Sequence, residues 1–390
     1  MNGWKTFTLE DVCEKIYSGG TPSTKHSEYW NGDLKWLSSG ETSQRFIYDT
    51  ERKITQLGVD NSSTKLATNG CTVIATAGQG FTRGQASYLM TDTYMNQSVI
   101  ACKANEKIVH PLYLYYNLNN RYEEFRLLSD GTSTRGGLSG WILKRMSIVL
   151  PDLSIQKKIV GVLENIDRKI ETNSNINKNL EEQLHWIYIQ MFSDINRNIE
   201  LGTVIMTTSG GTPSRKREEY YVDGTIKWVK SKELLGSYIV DTEEKITESA
   251  INNSSAKLLP THSILIAMYG VTVGAYAITT SEMTCNQAIC ALLQNERYPY
   301  TYLYQIAKES RQHFINMAVG SAQQNISQVL IKQLMIHDSR ETISEFHSIA
   351  LPIHQKLEQL TIENEILRKL RDGLLPKLIS GEIDVSKIDL

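Results

Sequence analysis

The chain lacks the marks of several protein classes. Its five cysteines are an odd number without Cys-x-x-Cys spacing, so we expect a reducing cytoplasm rather than a disulfide framework or a zinc knuckle. The sequence contains no run of about 18 apolar residues, which is the length that a helix needs to span a bilayer. The N-terminal residues lack the layout of a secretory signal. With 41% hydrophobic and 22% charged residues, the composition is that of a globular protein without a membrane segment.

Common catalytic motifs are also missing. The sequence contains no G-x-x-x-x-G-K-S/T phosphate loop, no G-x-G-x-x-G after a strand and no H-E-x-x-H, and its eight histidines lack metal-ligand spacing. One feature typical of a nuclease is an acid-x-Lys pair, at Glu51 and Lys53 and again at Glu243 and Lys245. Such carboxylates hold Mg²⁺ in nucleases, but the pair is common elsewhere. We therefore expect no catalytic residue, metal ion or cofactor in this chain.

The chain repeats itself at an interval of about 190 residues. The hexapeptide Ser-Gly-Gly-Thr-Pro-Ser at 18–23 returns at 209–214, and Asn-Ser-Ser-x-Lys-Leu at 61–66 returns at 253–258. Shorter matches follow in the same order: Lys35-Trp36 with Lys227-Trp228, Lys53-Ile54-Thr55 with Lys245-Ile246-Thr247, Asn96-Gln97 with Asn286-Gln287, and Tyr113-Leu114-Tyr115 with Tyr302-Leu303-Tyr304. So many collinear matches indicate an internal duplication.

The first part of each half is typical of a mixed α/β domain. Short β-rich runs, such as 72–75 and 263–266, lie between Gly, Asn and Ser residues. Short helices are expected near 111–127 and 300–317. The repeated tryptophans, Trp36 and Trp228, are expected to pack in the core rather than to stack on bases.

Each half ends in a long helix. Apolar residues recur at steps of three and four from Ile159 to Met191 and from Phe346 to Leu378, which is a seam of about four heptads. Asparagines occur in both seams, and a buried asparagine can fix the register of a coiled coil. We expect the two seams to pair with each other, although each could instead pack on its neighbouring domain. Pro352 either begins the second helix or kinks it.

These features predict an α+β fold: two pseudo-repeated mixed α/β domains separated by two long helices that form an antiparallel coiled coil. A helix of about 35 residues spans roughly 50 Å. Because successive major-groove faces of DNA recur about every 34 Å, two similar domains held apart in this way suit a bipartite site on double-stranded DNA. The net charge of −2 does not support a nucleic-acid partner, but an average can hide basic patches.

Polar loops are the candidate DNA-binding elements. Basic residues at 25 and at 215–217 follow the Gly-Gly-Thr-Pro-Ser loop, whose amides could bind phosphate or whose Pro-Ser could start a helix. Two other segments differ between the halves, 78–85 against 270–275 and 131–137 against 320–325. Because Arg pairs with guanine and Gln or Asn with adenine, divergent loops on a shared scaffold suit two different half-sites.

The chain resembles the specificity (S) subunits of type I restriction-modification systems over essentially its whole length. The resemblance is carried by both copies of Ser-Gly-Gly-Thr-Pro-Ser and of Asn-Ser-Ser-x-Lys-Leu, by Asn-Gln at 96 and 286, and by Ile-Gln-Lys-Lys-Ile at 155–159. Its most specific carrier is Leu-Arg-Asp-Gly-Leu-Leu-Pro-Lys-Leu-Ile-Ser-Gly-Glu-Ile at 370–383, where Gly373 is divergent and should weaken the helix slightly.

The resemblance implies target-recognition domains at 1–153 and 196–343, each reading half of an asymmetric bipartite DNA site. It implies helical spacers at 154–195 and 344–390, the second with a C-terminal tail, which pair and dock two methyltransferase (modification) subunits. Those partners would bring S-adenosylmethionine and flip out adenines, and restriction/translocase subunits would bring ATP and Mg²⁺. This chain would then be the non-catalytic DNA-recognition subunit of a hetero-oligomer.

Residues expected to contact DNA follow from loop position and chemistry, since the family does not fix its base-reading residues. They are Lys25, Arg45, Gln79, Arg83, Gln85, Thr134 and Arg135 in the first domain, and Arg215, Lys216, Arg217, Lys230, Tyr269, Thr272, Gln323 and Gln324 in the second. Two rival hypotheses stay open: a Mg²⁺-dependent endonuclease acting alone through Glu51 and Lys53, and a structural tether that joins protein partners without DNA.

Overall fold

A computed structural model describes residues 4–78, 80–130, 137–318 and 325–386. The chain divides into two compact units. The first takes in the chain up to Arg168 and again from Lys369 onward, and the second is Lys169–Arg368. Within the described ranges, no helix combines the length and the apolar character needed to cross a membrane.

The first unit is built from short strands and helices. Its strands are β1 Lys5–Thr8, β2 Cys13–Ser18, β3 Trp30–Leu37, β4 Phe46–Ile47, β5 Arg52–Ile54, β6 Lys65–Ala67, β7 Thr72–Ala75, β8 Ala86–Leu89, β9 Thr93–Met95, β10 Val99–Ala104 and β11 Ser147–Leu150. Its short helices are α1 Leu9–Val12, α2 Gln56–Asp60, α3 Pro111–Asn119, α4 Tyr122–Asp130 and α5 Gly140–Arg145. The strand expected at 72–75 and the helices expected near 111–127 are confirmed.

Three sheets organise these strands. Strands β2-β10-β7-β8-β4 form a five-stranded sheet, β5-β3-β9-β6 form a four-stranded sheet, and β1 pairs with β11. The pairs β3–β9 and β4–β8 are parallel, and the others are antiparallel.

The second unit repeats this plan. Its strands are β12 Arg197–Glu200, β13 Met206–Ser209, β14 Ile226–Val229, β15 Tyr238–Ile239, β16 Glu244–Ile246, β17 Ile264–Ala267, β18 Tyr276–Thr279, β19 Thr284–Cys285, β20 Ile289–Leu293 and β21 Met335–His337. The sheet orders β13-β20-β17-β18-β15 and β12-β21 match those of the first unit, and β16-β14-β19 form a three-stranded sheet where the first unit has the four-stranded β5-β3-β9-β6. Its short helices are α7 Leu201–Val204, α8 Glu248–Asn252, α9 Tyr300–Met317 and α10 Gln328–Lys332.

Two helices are much longer than the rest. Helix α6 is Leu153–Phe192 and helix α11 is Arg340–Ile379, and the boundary between the units falls inside both. Helix α11 runs through Pro352, so the alternative in which this proline begins the helix is wrong.

The seam asparagines of the two long helices meet inside the second unit. Asn173 donates a hydrogen bond to Asn364 at 3.0 Å, and Asn177 donates one to Thr361 at 3.2 Å. Because the numbers rise along α6 as they fall along α11, the helices are antiparallel here. Asn173 and Asn364 are both buried, and a polar contact of this kind inside a helix pair favours one register.

The long helices also complete the core of each unit. Ile159 and Leu163 join the first core beside Tyr113, and Tyr188 and Phe346 join the second. The two alternatives for the seams therefore both hold, since the helices pair and also pack on the domains. The repeated Trp36 and Trp228 are buried, as predicted.

Candidate nucleic-acid interface

The Gly-Gly-Thr-Pro-Ser loop is held by the other repeated motifs. In the first unit the Gly20 amide donates to the Met95 carbonyl at 2.9 Å, Trp36 Nε1 donates to the Gly20 carbonyl at 3.2 Å, and the Thr21 hydroxyl donates to Gln97. The second unit repeats these bonds between Gly211 and Cys285, Trp228 and Gly211, and Thr212 and Gln287. The repeated sequences therefore form one scaffold, although they lie far apart in the chain.

This scaffold decides between the two interpretations of the loop. No helix begins at Pro22 or Pro213, because the next helical turns start at Ser27 and Glu218. The amides of Gly20 and Gly211 donate to strand carbonyls, so they cannot also bind phosphate. The helix-start interpretation is thus wrong, and phosphate binding stays a prediction for the side chains that follow the loop.

Each unit carries a loop between two central strands of its five-stranded sheet. The first loop, residues 78–84, joins β7 to β8, and the second loop, residues 270–274, joins β17 to β18. Both close on a left-handed glycine whose amide donates to a strand carbonyl: Gly84 to Ala75 at 2.8 Å and Gly274 to Ala267 at 2.9 Å. The loops therefore start and end alike, but the second is two residues shorter and differs in sequence.

Matching hydrogen bonds in both units join the start of the loop to the Asn-Gln motif and to the residue that follows the second divergent segment. The Thr76 amide donates to the Ser98 carbonyl at 2.8 Å, and the Leu138 amide donates to the Thr76 carbonyl at 3.1 Å. The second unit has the same bonds from Met268 to Ala288 at 2.7 Å and from Ile326 to Met268 at 2.9 Å. The Asn-Gln motif, the loop and the chain just after the second divergent segment thus lie side by side. We call this region of each unit the loop edge.

Five of the residues expected to contact DNA lie outside the described ranges: Gln79, Thr134, Arg135, Gln323 and Gln324. Leu138 and Ile326, which follow the segments 131–136 and 319–324, lie at the loop edge. DNA contact by these five side chains stays a prediction.

Two predicted residues of the first unit share an open cleft of about 470 Å³. Arg45 and Gln85 line it together with Asn119, Tyr122 and Arg371. Gln85 Oε1 is buried and accepts no hydrogen bond from the described residues. Arg83, on the first loop, is half-buried, whereas Lys25 is exposed.

Arg45 docks the first domain on the long helices. Its guanidinium donates to Asn119 at 3.3 Å and lies 3.6 Å from the Asp167 carboxylate. The same carboxylate accepts the Tyr116 hydroxyl at 2.8 Å and pairs with Arg371 at 2.8 Å. Base reading by Arg45 stays a prediction, because its visible contacts are internal. Arg371 lies at a seam position of the heptad pattern that runs from Phe346 to Leu378, and a charge at such a position is the sequence signal of a buried ion pair.

Three predicted cations of the second unit have internal partners. Arg215 pairs with Glu244 at 2.6 Å and lies over the Tyr221 ring at 4.3 Å. Lys230 donates to Glu244 at 2.8 Å, and Arg217 donates to the Tyr220 hydroxyl at 2.8 Å. The Arg215 guanidinium, followed by Lys230, holds the pKa of Glu244 down at about 2.

These ion pairs also bear on the nuclease hypothesis. Glu243 accepts a hydrogen bond from Lys230 and pairs with Lys232 at 2.7 Å. Cations therefore bind both carboxylates of the Glu243-Glu244-Lys245 segment, which is the second acid-x-Lys motif. In the described parts of the chain, no three His, Cys, Asp or Glu side chains are grouped as a metal site would need.

The remaining predicted residues of the second unit are more exposed. Lys216 is exposed beside the Gly-Gly-Thr-Pro-Ser loop, and Tyr269 is exposed at the start of the second loop. The Thr272 hydroxyl donates to the Tyr269 carbonyl at 3.1 Å, and Tyr269 bridges to Asn325. The structure thus brings Tyr269 and Thr272 together at the loop edge.

A buried histidine docks the second domain on α11. His354 Nδ1 shares a hydrogen bond of 2.8 Å with the Tyr238 hydroxyl, and the rings of Tyr300 and Tyr304 lie 5.4 and 5.3 Å away. Burial, followed by the charges of His262 and His347, lowers the pKa of His354 to about 3. This residue is therefore neutral in the folded protein at physiological pH.

The free energy of unfolding should consequently decrease as the pH is lowered. Below its ordinary pKa of about 6.5, His354 binds a proton in the unfolded chain but not in the folded chain, so acid favours unfolding until the pH approaches 3. Between pH 7.5 and 5 this residue should cost about 2 kcal/mol. Urea unfolding at both values should show this loss in the wild type and a smaller loss in His354→Gln. Equal losses would contradict a buried neutral histidine.

Comparison with known proteins gives consistent matches. A sequence model described as the type I restriction modification DNA specificity domain matches residues 1–182 and 196–337. The chain is similar to the MjaIX type I restriction enzyme specificity subunit of Methanocaldococcus jannaschii, with 25% identity over 99% of this chain and 94% of that protein. It is also similar to the HindI type I restriction enzyme specificity subunit of Haemophilus influenzae, with 23% identity over 77% and 84%.

One solved structure shares the fold. The crystal structure of a type I restriction-modification system S subunit from M. genitalium aligns with a TM-score of 0.61 and 16% identity, covering 97% of this chain and 96% of that one. At this identity the likeness concerns the fold alone. It confirms the predicted arrangement of two repeated α/β domains and two long helices.

Proposed function

Because the chain belongs to the family of type I restriction modification DNA specificity domains, we propose that its two units read the two halves of one asymmetric, bipartite DNA site. The observation that supports this most is the loop edge. Both units build it from the same hydrogen bonds, yet the loops that it carries differ in sequence and in length. A shared scaffold presents its loops alike, and different side chains on the loops select different bases.

The proposed partners are two methyltransferase subunits and restriction/translocase subunits, which would bind S-adenosylmethionine, ATP and Mg²⁺. We assign this chain sequence choice and assembly, with no catalytic step of its own. With a net charge of −2, it would leave much of the phosphate neutralisation to these partners. All five cysteines are free thiols, which fits the reducing cytoplasm expected from the sequence.

Mapping methylated bases tests the proposal directly. Cells that express this chain with its methyltransferase subunits should carry N6-methyladenine at a single motif made of two specific parts and a nonspecific spacer. Methylation without any sequence preference would favour the structural tether instead. Cleavage of DNA by the purified chain with Mg²⁺ alone, abolished by Glu51→Ala, would favour the endonuclease.

Single loop variants should affect only one half of that motif. We expect Gln85→Ala to relax selection in one half-site and Thr272→Ala in the other, because the two residues lie on the loop edges of different units. Losing a bidentate contact of Gln85 should cost about 5- to 150-fold in discrimination, and losing the single hydroxyl of Thr272 should cost less. Lys103→Ala is the control, since Lys103 lies on strand β10 away from the loops and pairs with Glu14 on strand β2. Equal loss of methylation on every sequence would contradict base reading.

A further inference from the structure

Both loop edges hold one apolar side chain out in water. Phe81 is 81% exposed on the first loop, and Val271 is fully exposed on the second. Each lies three residues before the left-handed glycine that closes its loop, Gly84 or Gly274. A single exposed apolar residue is ordinary on a protein surface. Here both copies of the scaffold expose an apolar residue at the same distance from the closing glycine, on loops that otherwise differ. This repetition indicates that the two side chains bind the same kind of partner.

The backbone under these side chains is fastened from behind. The Tyr122 hydroxyl donates to the Phe81 carbonyl at 3.0 Å, and Arg126 donates to the Gly80 carbonyl at 2.6 Å. Val271 lies in a 3₁₀ turn, Gly270–Thr272, closed by the bond from the Thr272 hydroxyl to Tyr269. These bonds fix the backbone position from which each side chain projects. A contact displayed in advance costs less conformational entropy when it is made.

We propose that Phe81 and Val271 read thymine by packing on its 5-methyl group, each in the major groove of its own half-site. This inference rests on the proposed function. The thymine methyl is the apolar group that the major groove offers, and it is what distinguishes T·A by apolar contact. Valine is too short to act as a wedge between base pairs, which is the other apolar contact known for DNA. Because the two residues share one position, the contact that both can make is the methyl contact.

Replacing thymine with uracil removes that methyl group and leaves base pairing unchanged. The probe is a duplex with the methylated motif, in which each thymine is changed to uracil in turn, and the assay is methylation by the assembled complex. We expect one position in each half-site to lose about three- to fivefold in kcat/KM, the weight of one buried methyl group.

Alanine variants then assign each methyl group to a residue. Phe81→Ala should lose a similar factor on thymine DNA and should no longer distinguish uracil from thymine at one position. Val271→Ala should do the same in the other half-site. Val149→Ala and Met335→Ala are matched controls and should keep full discrimination, because these exposed residues lie on the separate pairs β1–β11 and β12–β21.

Three results would overturn the inference. One is a motif whose methylation responds to no uracil substitution, and another is an alanine variant that weakens thymine and uracil DNA while still distinguishing them. The third is an alanine variant that fails to assemble with the methyltransferase, which would make these side chains a protein contact. A wild-type complex that selects its motif but ignores the methyl groups would leave the proposed function standing. A complex that selects no motif would remove the proposed function itself.

Discussion

Replacing Asp167 with alanine should lower the free energy of unfolding by about 3–5 kcal/mol. Asp167 is 6% exposed and Arg371 is 7% exposed, so the variant leaves a guanidinium in the interior without the carboxylate that lies 2.8 Å away. The Tyr116 hydroxyl loses its acceptor at the same time. Asp372 stays 2.8 Å from Arg371 Nε, which places the expected loss at the lower end of this range. Urea unfolding followed by tryptophan fluorescence measures the change.

A double variant separates a lost ion pair from lost packing. Asp167→Leu combined with Arg371→Met removes both charges of this pair and keeps much of the volume, so the loss should be smaller than in Asp167→Ala. Arg45 still loses the carboxylate that lies 3.6 Å away, so part of the loss should remain. A loss below about 1 kcal/mol in Asp167→Ala would show that water already screens the pair, as it does at the surface.

Replacing Gly20 with alanine should cost about 3 kcal/mol or more, at the upper end of the range for inserting one methyl group into a packed site. A Cβ on Gly20 would lie 2.2 Å from Ser63 Oγ and 2.6 Å from the Ser63 carbonyl carbon. One of these atoms is backbone, so the loop must move, and the bond from Trp36 Nε1 to the Gly20 carbonyl then weakens. We expect a lower urea midpoint and a loss of selection confined to the half-site that the first unit reads.

Gly211→Ala should have the matching effect on the other half-site. Its Cβ would lie 2.3 Å from the Ser255 carbonyl carbon and 2.5 Å from the Ala256 nitrogen. Gly373→Ala is the control, because a Cβ there meets nothing within 4 Å. Gly373 lies inside helix α11, so this change should raise stability by up to about 1 kcal/mol. Unchanged stability in both loop variants would contradict the close contacts.

Much of the fold could be predicted because the sequence repeats its own signals. The matching hexapeptides and the two heptad seams indicate duplicated domains and long helices, and both features follow from the order of the residues without any knowledge of tertiary contacts. The start of α11 at Arg340 was harder to predict, since a proline favours a helix start but a long packed helix can run through it. Here the packing of Phe346 and Ala350 into the second core outweighs that local preference.

The candidate site was only partly predictable. The divergent segments were visible from their sequences, but the position of Leu138, which follows the segment 131–137, beside the first loop depends on its bond to Thr76. Their positive charge and their positions in loops made Arg45 and Lys230 equal candidates for DNA contact. Asp167 and Glu244 occupy these two cations with internal contacts, which the local sequence around Arg45 and Lys230 does not show.

The sequence by itself determined that the chain is a duplicated protein with two long helices and divergent polar loops, because periodicity and repetition can be found from the order of the residues alone. Only the tertiary structure decided which polar groups stay free for a partner. The interaction energy of a charged group, or of a hydrogen bond, depends on the atoms that lie within about 4 Å of it. Folding places the Glu244 carboxylate beside Arg215 and leaves the Phe81 side chain exposed to solvent, and neither result can be predicted from the neighbouring sequence.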